Sequence, residues 1–259
     1  MSAGPPDVDV AAWVGQYLWP FSRISAFVLS APVIGSRVMP ARLRLLLCLL
    51  LTAIVATALP ELPRCRPLEL DCWLVVAEQT LIGLIMGWIM QLVFQALELS
   101  GQLMATQSGL GFSSLVDPNT GVSVASLSQL YVMLATLLFL GMNGHLLMIE
   151  YLFHSFEVLP VGLAPGLDMP WSELSRAGAW VFSAGLVAAL PVVVTLLVVN
   201  IALGIITRAS PQLNIFSIGF PITLLLGLLA VWLSLQGFVD QFNALNVQAF
   251  ALLQNFLRR

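Results

Sequence analysis

A serine nucleophile, a general base and a pair of carboxylates are the residue types from which this chain could build a hydrolase. Gly111-x-Ser113, taken with His145 or His154, has the outline of a serine–histidine pair. That chemistry needs the base within hydrogen-bond reach of the nucleophile and donors aimed at the oxyanion. Nothing in the spacing fixes either. Asp117 and Asp240 are the isolated candidates for an aspartyl dyad, whose two carboxylates must share one site. Neither lies mid-helix with a matching partner. His145 and His154 stand nine residues apart and do not make a zinc set by spacing. A phosphate-binding glycine loop needs a lysine, and the chain contains none. Catalysis is therefore not expected, and no metal or cofactor is expected either.

A second group of polar residues lies inside strongly apolar segments: Arg23, Glu78, Asn143, His145, Glu150 and Asn200. A charge at mid-bilayer costs about 2.5–3.5 kcal/mol on insertion scales, so such side chains should face protein or water. Hydrogen bonds buried between subunits are the expectation for them, ahead of a proton relay. Several lie near helix ends, where snorkelling lowers the cost.

The elements that carry these residues follow from composition. The chain has 259 residues, 59% apolar and 9% charged, against about 25% charged in a soluble domain. There is too little charge to coat a water-facing surface, so an integral membrane protein is expected. A spanning helix needs roughly 20 apolar residues. About six segments qualify, near 12–31, 43–59, 73–97, 127–153, 177–206 and 213–238. The expected fold class is all-α: a polytopic membrane-protein helical bundle, its helices arranged as hairpins. Each gap holds Pro, and most hold Gly or charge, as helix ends should. Pro191 falls near the middle of the fifth segment, which is long enough that it must tilt, bend or project. Gly83 and Gly87 are spaced to let another helix approach closely, although such pairs are common in apolar segments.

All ten basic residues are arginine and the net charge is −3, which argues against nucleic acid as a partner. Asp7 and Asp9 precede the first apolar segment where a secretory signal places positive charge, so that segment is expected to be retained. With the N-terminus outside, Arg37, Arg42, Arg44 and Arg208 lie inside, while Arg64, Arg66, Arg176, Arg258 and Arg259 lie outside. Four against five leaves orientation open. Cys48 sits within an apolar run. Cys65 and Cys72 flank a short connection, where free thiols are expected unless that connection faces an oxidising compartment.

Four passages, in order, resemble the R subunit of the flagellar type III protein export gate, the FliR family, whose injectisome counterpart is the T subunit. They are "SAPVIGSRVMPARLRLLL" (Ser30 to Leu47), "QSGLGFSSLVDPNTG" (Gln107 to Gly121), "LATLLFLGMNGHLLMI" (Leu134 to Ile149) and "ALPVVVTLLVVNIALGIITRASPQLNIFSIGFPITL" (Ala189 to Leu224). The wording "VDPNTG" and "FLGMNGH" favours the flagellar form. The resemblance implies a structural, pore-forming subunit in the bacterial inner membrane at the flagellar basal body. There, one such subunit would join P and Q subunits in a hetero-oligomeric helical pore. Unfolded export substrates would pass through it toward the rod base. A B-type switch subunit, an A-type export subunit and membrane lipid are further implied partners. By the same resemblance residues 1–155 are P-subunit-like, 156–175 connect, and 176–259 form a Q-subunit-like hairpin. The tip of that hairpin carries Arg208, Pro211, Gln212, Asn214, Phe216, Gly219 and Pro221. It would face the cytoplasm, with both termini outside.

The resemblance also makes the loop within 107–121 a pore plug, formed by Gly109, Leu110, Gly111, Phe112, Ser113, Ser114, Leu115, Val116, Asp117, Pro118, Asn119 and Gly121. Its residues suit that role physically. Irregular backbone at membrane depth is tolerated only where protein encloses it or water reaches it. The glycines permit tight folding. Leu110, Phe112, Leu115 and Val116 supply an apolar seal, and Asp117-Pro118-Asn119 supplies a turn. A polytopic secondary transporter of a small solute is the alternative. It predicts internal repeats and broken helices near mid-membrane, and no convincing repeat relates the two halves.

Overall fold

The computed structural model describes residues 10–36, 39–58, 70–110, 126–162, 171–210 and 215–257. Eight α-helices and one 3₁₀ turn make up these residues, and no strand occurs among them. The helices are α1 (Val10–Ser30), α2 (Ala41–Ala58), α3 (Leu70–Gln107), α4 (Ser126–Gly141), α5 (Gly144–Val158), α6 (Trp171–Ala209), α7 (Ile215–Ser234) and α8 (Phe238–Leu257). The all-α expectation holds. Four helices among the described residues are long and apolar enough to cross a membrane, or five if α4 and α5 count as one broken span.

The expected segments differ from the observed ones in three instructive places. The third and fifth are longer than a bilayer requires: α3 has 38 residues and α6 has 39. At 1.5 Å per residue each runs for roughly 57 Å, against a hydrocarbon core of about 30 Å. The fourth segment is interrupted. Asn143 adopts φ 57° and caps α5, with its carbonyl accepting from the Leu146 N–H at 2.9 Å. Asn is one of the few residues other than Gly that visits the left-handed region readily. The third difference lies past residue 238, where α8 was not expected. Its buried Phe238, Phe242, Leu245, Ala249, Leu253 and Phe256 recur at three- and four-residue intervals. That is the stripe of an amphipathic helix.

Two compact units share the chain. The first comprises Met1–Gln91, Asn143–Trp171 and Phe250–Arg259; the second comprises Leu92–Met142 and Ser172–Ala249. In the first unit α1 packs on α2 and lies directly against α3. A Cβ on Gly83 would collide with the Arg23 carbonyl oxygen, and one on Gly87 would collide with the Ser30 hydroxyl. The glycine pair thus serves contact with α1. Tyr151 stacks on Phe250 with ring centroids 5.2 Å apart, and its hydroxyl accepts from Gln254 Nε2 at 2.6 Å.

In the second unit the later turns of α3 are again the packing surface. A Cβ on Gly101 would lie 2.6 Å from the Ser128 Cα of α4, and one on Gly185 of α6 would lie 2.8 Å from the Ala96 carbonyl. Small residues at these crossings let backbones approach, as membrane helix pairs require. Tyr131 is buried, edge-on to Phe238 at 5.3 Å, with its hydroxyl 3.0 Å from Ser234 Oγ. Burial is uneven: the most apolar stretch of α3 is 67% buried, whereas that of α6 is 22% buried.

Cys72, buried in the first turn of α3, is disulfide-bonded, while Cys48 in α2 is free. This corrects the expectation of free thiols for Cys72. Spacing in the sequence carries no information on how the backbone presents a thiol.

Candidate functional site

The segment expected to form a plug begins at the end of α3, where the helix is closed in a defined way. The Ser108 N–H donates to the Met104 carbonyl at 3.0 Å, and Ser108 Oγ donates to the Ala105 carbonyl at 3.0 Å. Gly109 follows at φ +82°. A left-handed glycine just past the last turn is a common helix stop, since any Cβ there is strained.

This exit rests on α7. Ser108 is 1% exposed, and a Cβ on Gly227 would come within 2.6 Å of its Cβ. A Cβ on Gly109 would meet the Phe220 ring at 3.1 Å. Phe220 lies between buried Gly219 and exposed Pro221. The fold therefore joins residues more than a hundred positions apart in the chain: Gly109, the first residue expected in the plug, and Phe220, between two residues expected in the hairpin tip. Leu110 is half-buried. The other residues expected in the plug, Gly111, Phe112, Ser113, Ser114, Leu115, Val116, Asp117, Pro118, Asn119 and Gly121, lie outside the described residues.

Of the residues expected at a hairpin tip, Arg208 is exposed in the last turn of α6. A cation there complements the partial negative charge of the helix C-terminus. Pro211, Gln212 and Asn214 lie outside the described residues, as does the side chain of Phe216. Pro191 is accommodated within an unbroken α6, and its carbonyl accepts from Thr195 Oγ1 at 2.7 Å.

The polar residues within the helices separate by environment. Arg23 is 0% exposed. Its Nε donates to Gln79 Oε1 at 2.8 Å, Nη1 to the Ser155 carbonyl at 2.9 Å, and Nη2 to the Leu159 carbonyl at 2.8 Å. Its guanidinium carbon also lies 4.3 Å from the Phe156 ring centroid. Two acceptors are thus carbonyls at the C-terminal end of α5, so the guanidinium caps a helix end with the favourable sign of charge. Glu78, half-buried beside Gln79, provides an opposing charge. Gln79 was not singled out by the sequence. Its burial beside an arginine is visible only once α1 and α3 are packed, and its Nε2 has no partner among the described residues.

Asn143, Glu150 and Asn200 are exposed, and His145 is half-buried with its Nδ1 unpartnered among the described residues. His154 Nδ1 lies 3.0 Å from Glu157 Oε2 on the exposed face of α5. Among the described residues no three His, Cys, Asp or Glu side chains converge as metal ligands would. Asp240 is exposed in the first turn of α8.

Long apolar helices, small-residue crossings and a charge buried between helices define a polytopic helical membrane protein. Residues 14–249 match the family described as Bacterial export proteins, family 1, and the chain belongs to that family. It is 39% identical to the flagellar biosynthetic protein FliR of Pectobacterium carotovorum over 249 residues, covering 96% of this chain and 95% of the relative. It is also 39% identical to FliR of Escherichia coli K12 over 219 residues, 84% of this chain and 83% of the relative. With FliR of Bacillus subtilis the identity is 30% over 211 residues, 80% of each chain.

Proposed function

We propose that the chain is the R-type, pore-forming subunit of the flagellar protein export gate in the bacterial inner membrane, passing unfolded flagellar proteins outward. The observation that carries this reading is the match to export proteins along nearly the whole chain, with FliR relatives aligned over most of their own length. P and Q subunits are its partners in a hetero-oligomeric pore containing one R subunit. The P-like part spans about 1–155 and the Q-like hairpin about 176–259. The surface of α6 supports assembly with further chains. Apolar side chains from Phe182 to Ile206 stand exposed along a helix roughly twice as long as the bilayer core is thick.

The plug starts at Gly109 and closes the resting pore against ions and small solutes. Its support is the fixed exit at Ser108–Gly109 on α7, which anchors one end of the loop. The chain acts by shape and sealing, and the energy for transport comes from elsewhere in the machine. Deleting residues 109–121 should leave P, Q and R subunits copurifying in mild detergent while cells become leaky to small solutes. Unchanged permeability in a correctly assembled deletion gate would refute the plug. Failure to recover any P or Q subunit with the intact chain would refute the gate.

A further inference from the structure

The chain leaves α1 through a turn whose backbone angle its residue type resists. Val33 adopts φ 64°, a region that a β-branched residue occupies only as an outlier. The Ile34 N–H donates to the Pro32 carbonyl at 2.7 Å, which closes a γ-turn of the rare and strained hand around Val33. Ending α1 does not require this, since Pro32 already disfavours helix at Ala31. Where a helix stop does use a positive φ, the residue is usually Gly or Asn. Gly35 stands two positions on but serves another purpose. A Cβ there would lie 2.5 Å from the Ala31 carbonyl oxygen and 2.6 Å from that of Leu29. Nor does packing of its own side chain force the angle, because Val33 is only half-buried. Strain of this kind persists only where the surroundings over-determine it.

What holds the turn is a relay of polar contacts that ends on α2. The Val33 carbonyl accepts from Ser36 Oγ at 2.6 Å and from the Ser36 N–H at 3.3 Å. The Ser36 carbonyl accepts in turn from Arg44 Nη2 at 2.6 Å, and the Met39 carbonyl from the same nitrogen at 3.3 Å. Arg44 keeps this position with its Nε buried and without a partner among the described residues, which is itself unfavourable. We propose that the Ala31–Ser36 turn is a two-state switch, held in its strained form by Arg44 and released when that guanidinium withdraws. A positive φ disfavours a non-glycine residue roughly tenfold, so the relay decides which form predominates. Held, the chain folds back against the carbonyls at the end of α1. Released, the connection is free to lengthen while α1 and α2 stay packed on one another. The switch belongs to this chain alone, whether or not the chain serves a gate.

Alanine and glycine at position 33 read the state of the turn. Both remove the valine side chain, but only glycine accepts a positive φ without strain. At an ordinary position alanine is the more stabilising of the two, whereas at a positive φ the order inverts. In the full chain purified in mild detergent, Val33→Gly should melt about 2–4 °C above Val33→Ala. With Arg44→Met added to both, that gap should close, because a released turn no longer needs the positive φ. A merely structural Arg44 would lower both melting temperatures and leave the gap intact. Val33→Ala melting at or above Val33→Gly in the parent background would overturn the strained turn. A gap undiminished by Arg44→Met would overturn the latch. Should Arg44→Met not fold, Ser36→Ala breaks the same relay at its middle and carries the same comparison, with the same two results counting for and against.

Discussion

Arg23→Met is the most informative single perturbation of the first unit. Methionine keeps much of the apolar stem but removes every donor. Gln79 Oε1 and the Leu159 carbonyl then lose their partners, while the Ser155 carbonyl keeps the Leu159 N–H at 2.9 Å. Each buried acceptor left unsatisfied costs about 1–3 kcal/mol. Losing the contact with the Phe156 ring adds about 1 kcal/mol. Relief of the buried guanidinium's desolvation offsets part of this. A net loss of about 3 kcal/mol is expected, or roughly a hundredfold in the folded-to-unfolded ratio.

For a chain of this size that corresponds to a fall in Tm of roughly 6–12 °C, measured on the purified protein in mild detergent by tryptophan fluorescence. Two further variants make the reasoning refutable. Arg23→Met combined with Gln79→Leu should recover about 1–2 kcal/mol, because one orphaned acceptor disappears. Arg23→Lys should fall between parent and Met, since an ammonium keeps the charge but not the three-way fork. A Tm for Arg23→Met within about 1 °C of the parent would refute the clamp, as would a double variant no better than the single one. Loss of export by Arg23→Lys at unchanged Tm would instead give the guanidinium fork, beyond the charge that lysine keeps, a role in transport.

The close crossing of α1 and α3 predicts that Gly83→Ala costs about 1–3 kcal/mol, because the new methyl meets the Arg23 backbone rather than a side chain that can move. Gly204→Ala, within α6, where the new methyl would meet no described atom within 4 Å beyond its own stretch of helix, should stabilise by about 0.5–1 kcal/mol in the same unfolding assay. Equal effects at the two sites would contradict the packing described. At the start of the proposed plug, Gly109→Ala should cost about 1–2 kcal/mol through its left-handed φ, with added crowding at Phe220. Assembly should persist while resting permeability rises; an unchanged Tm would show that Gly109 does not need its left-handed conformation.

Fold class was legible because composition alone excludes a water-coated surface, and most helices announced themselves as apolar runs between prolines. What composition hid was the break at Asn143. The Asn-Gly pair was visible as a turn signal, yet it lay inside a run apolar enough to read as one span. Helix α8 was hidden for the opposite reason. Its polar Asp240, Asn243, Gln248 and Gln254 lower the average hydropathy, although the apolar positions between them keep helical spacing. Of the candidate site, Gly109 could be read as a backbone position before packing was known. Its neighbour Phe220 could not, because that contact joins distant stretches of chain. Arg23 was recognised as costly, but its partners were not, since two of them are backbone carbonyls that carry no sequence signature.

The distribution of polar groups bears on what surrounds the chain. Arg23 has its partners within its own unit, so a membrane could surround that unit without exposing the charge. Glu150 and Asn200 differ: they stand exposed on helices whose neighbouring side chains are exposed leucine, isoleucine and valine. Hydrocarbon would leave such groups unsatisfied at a cost of several kcal/mol for a carboxylate, whereas another helix or enclosed water would not. Helix α6 carries this mixed surface over nearly twice the thickness of a bilayer core. Lipid is therefore a poor solvent for its whole length. The combination of a well-buried α3 and a sparsely buried α6 is what a subunit needs when one helix organises its own fold and another is left for neighbouring chains to cover.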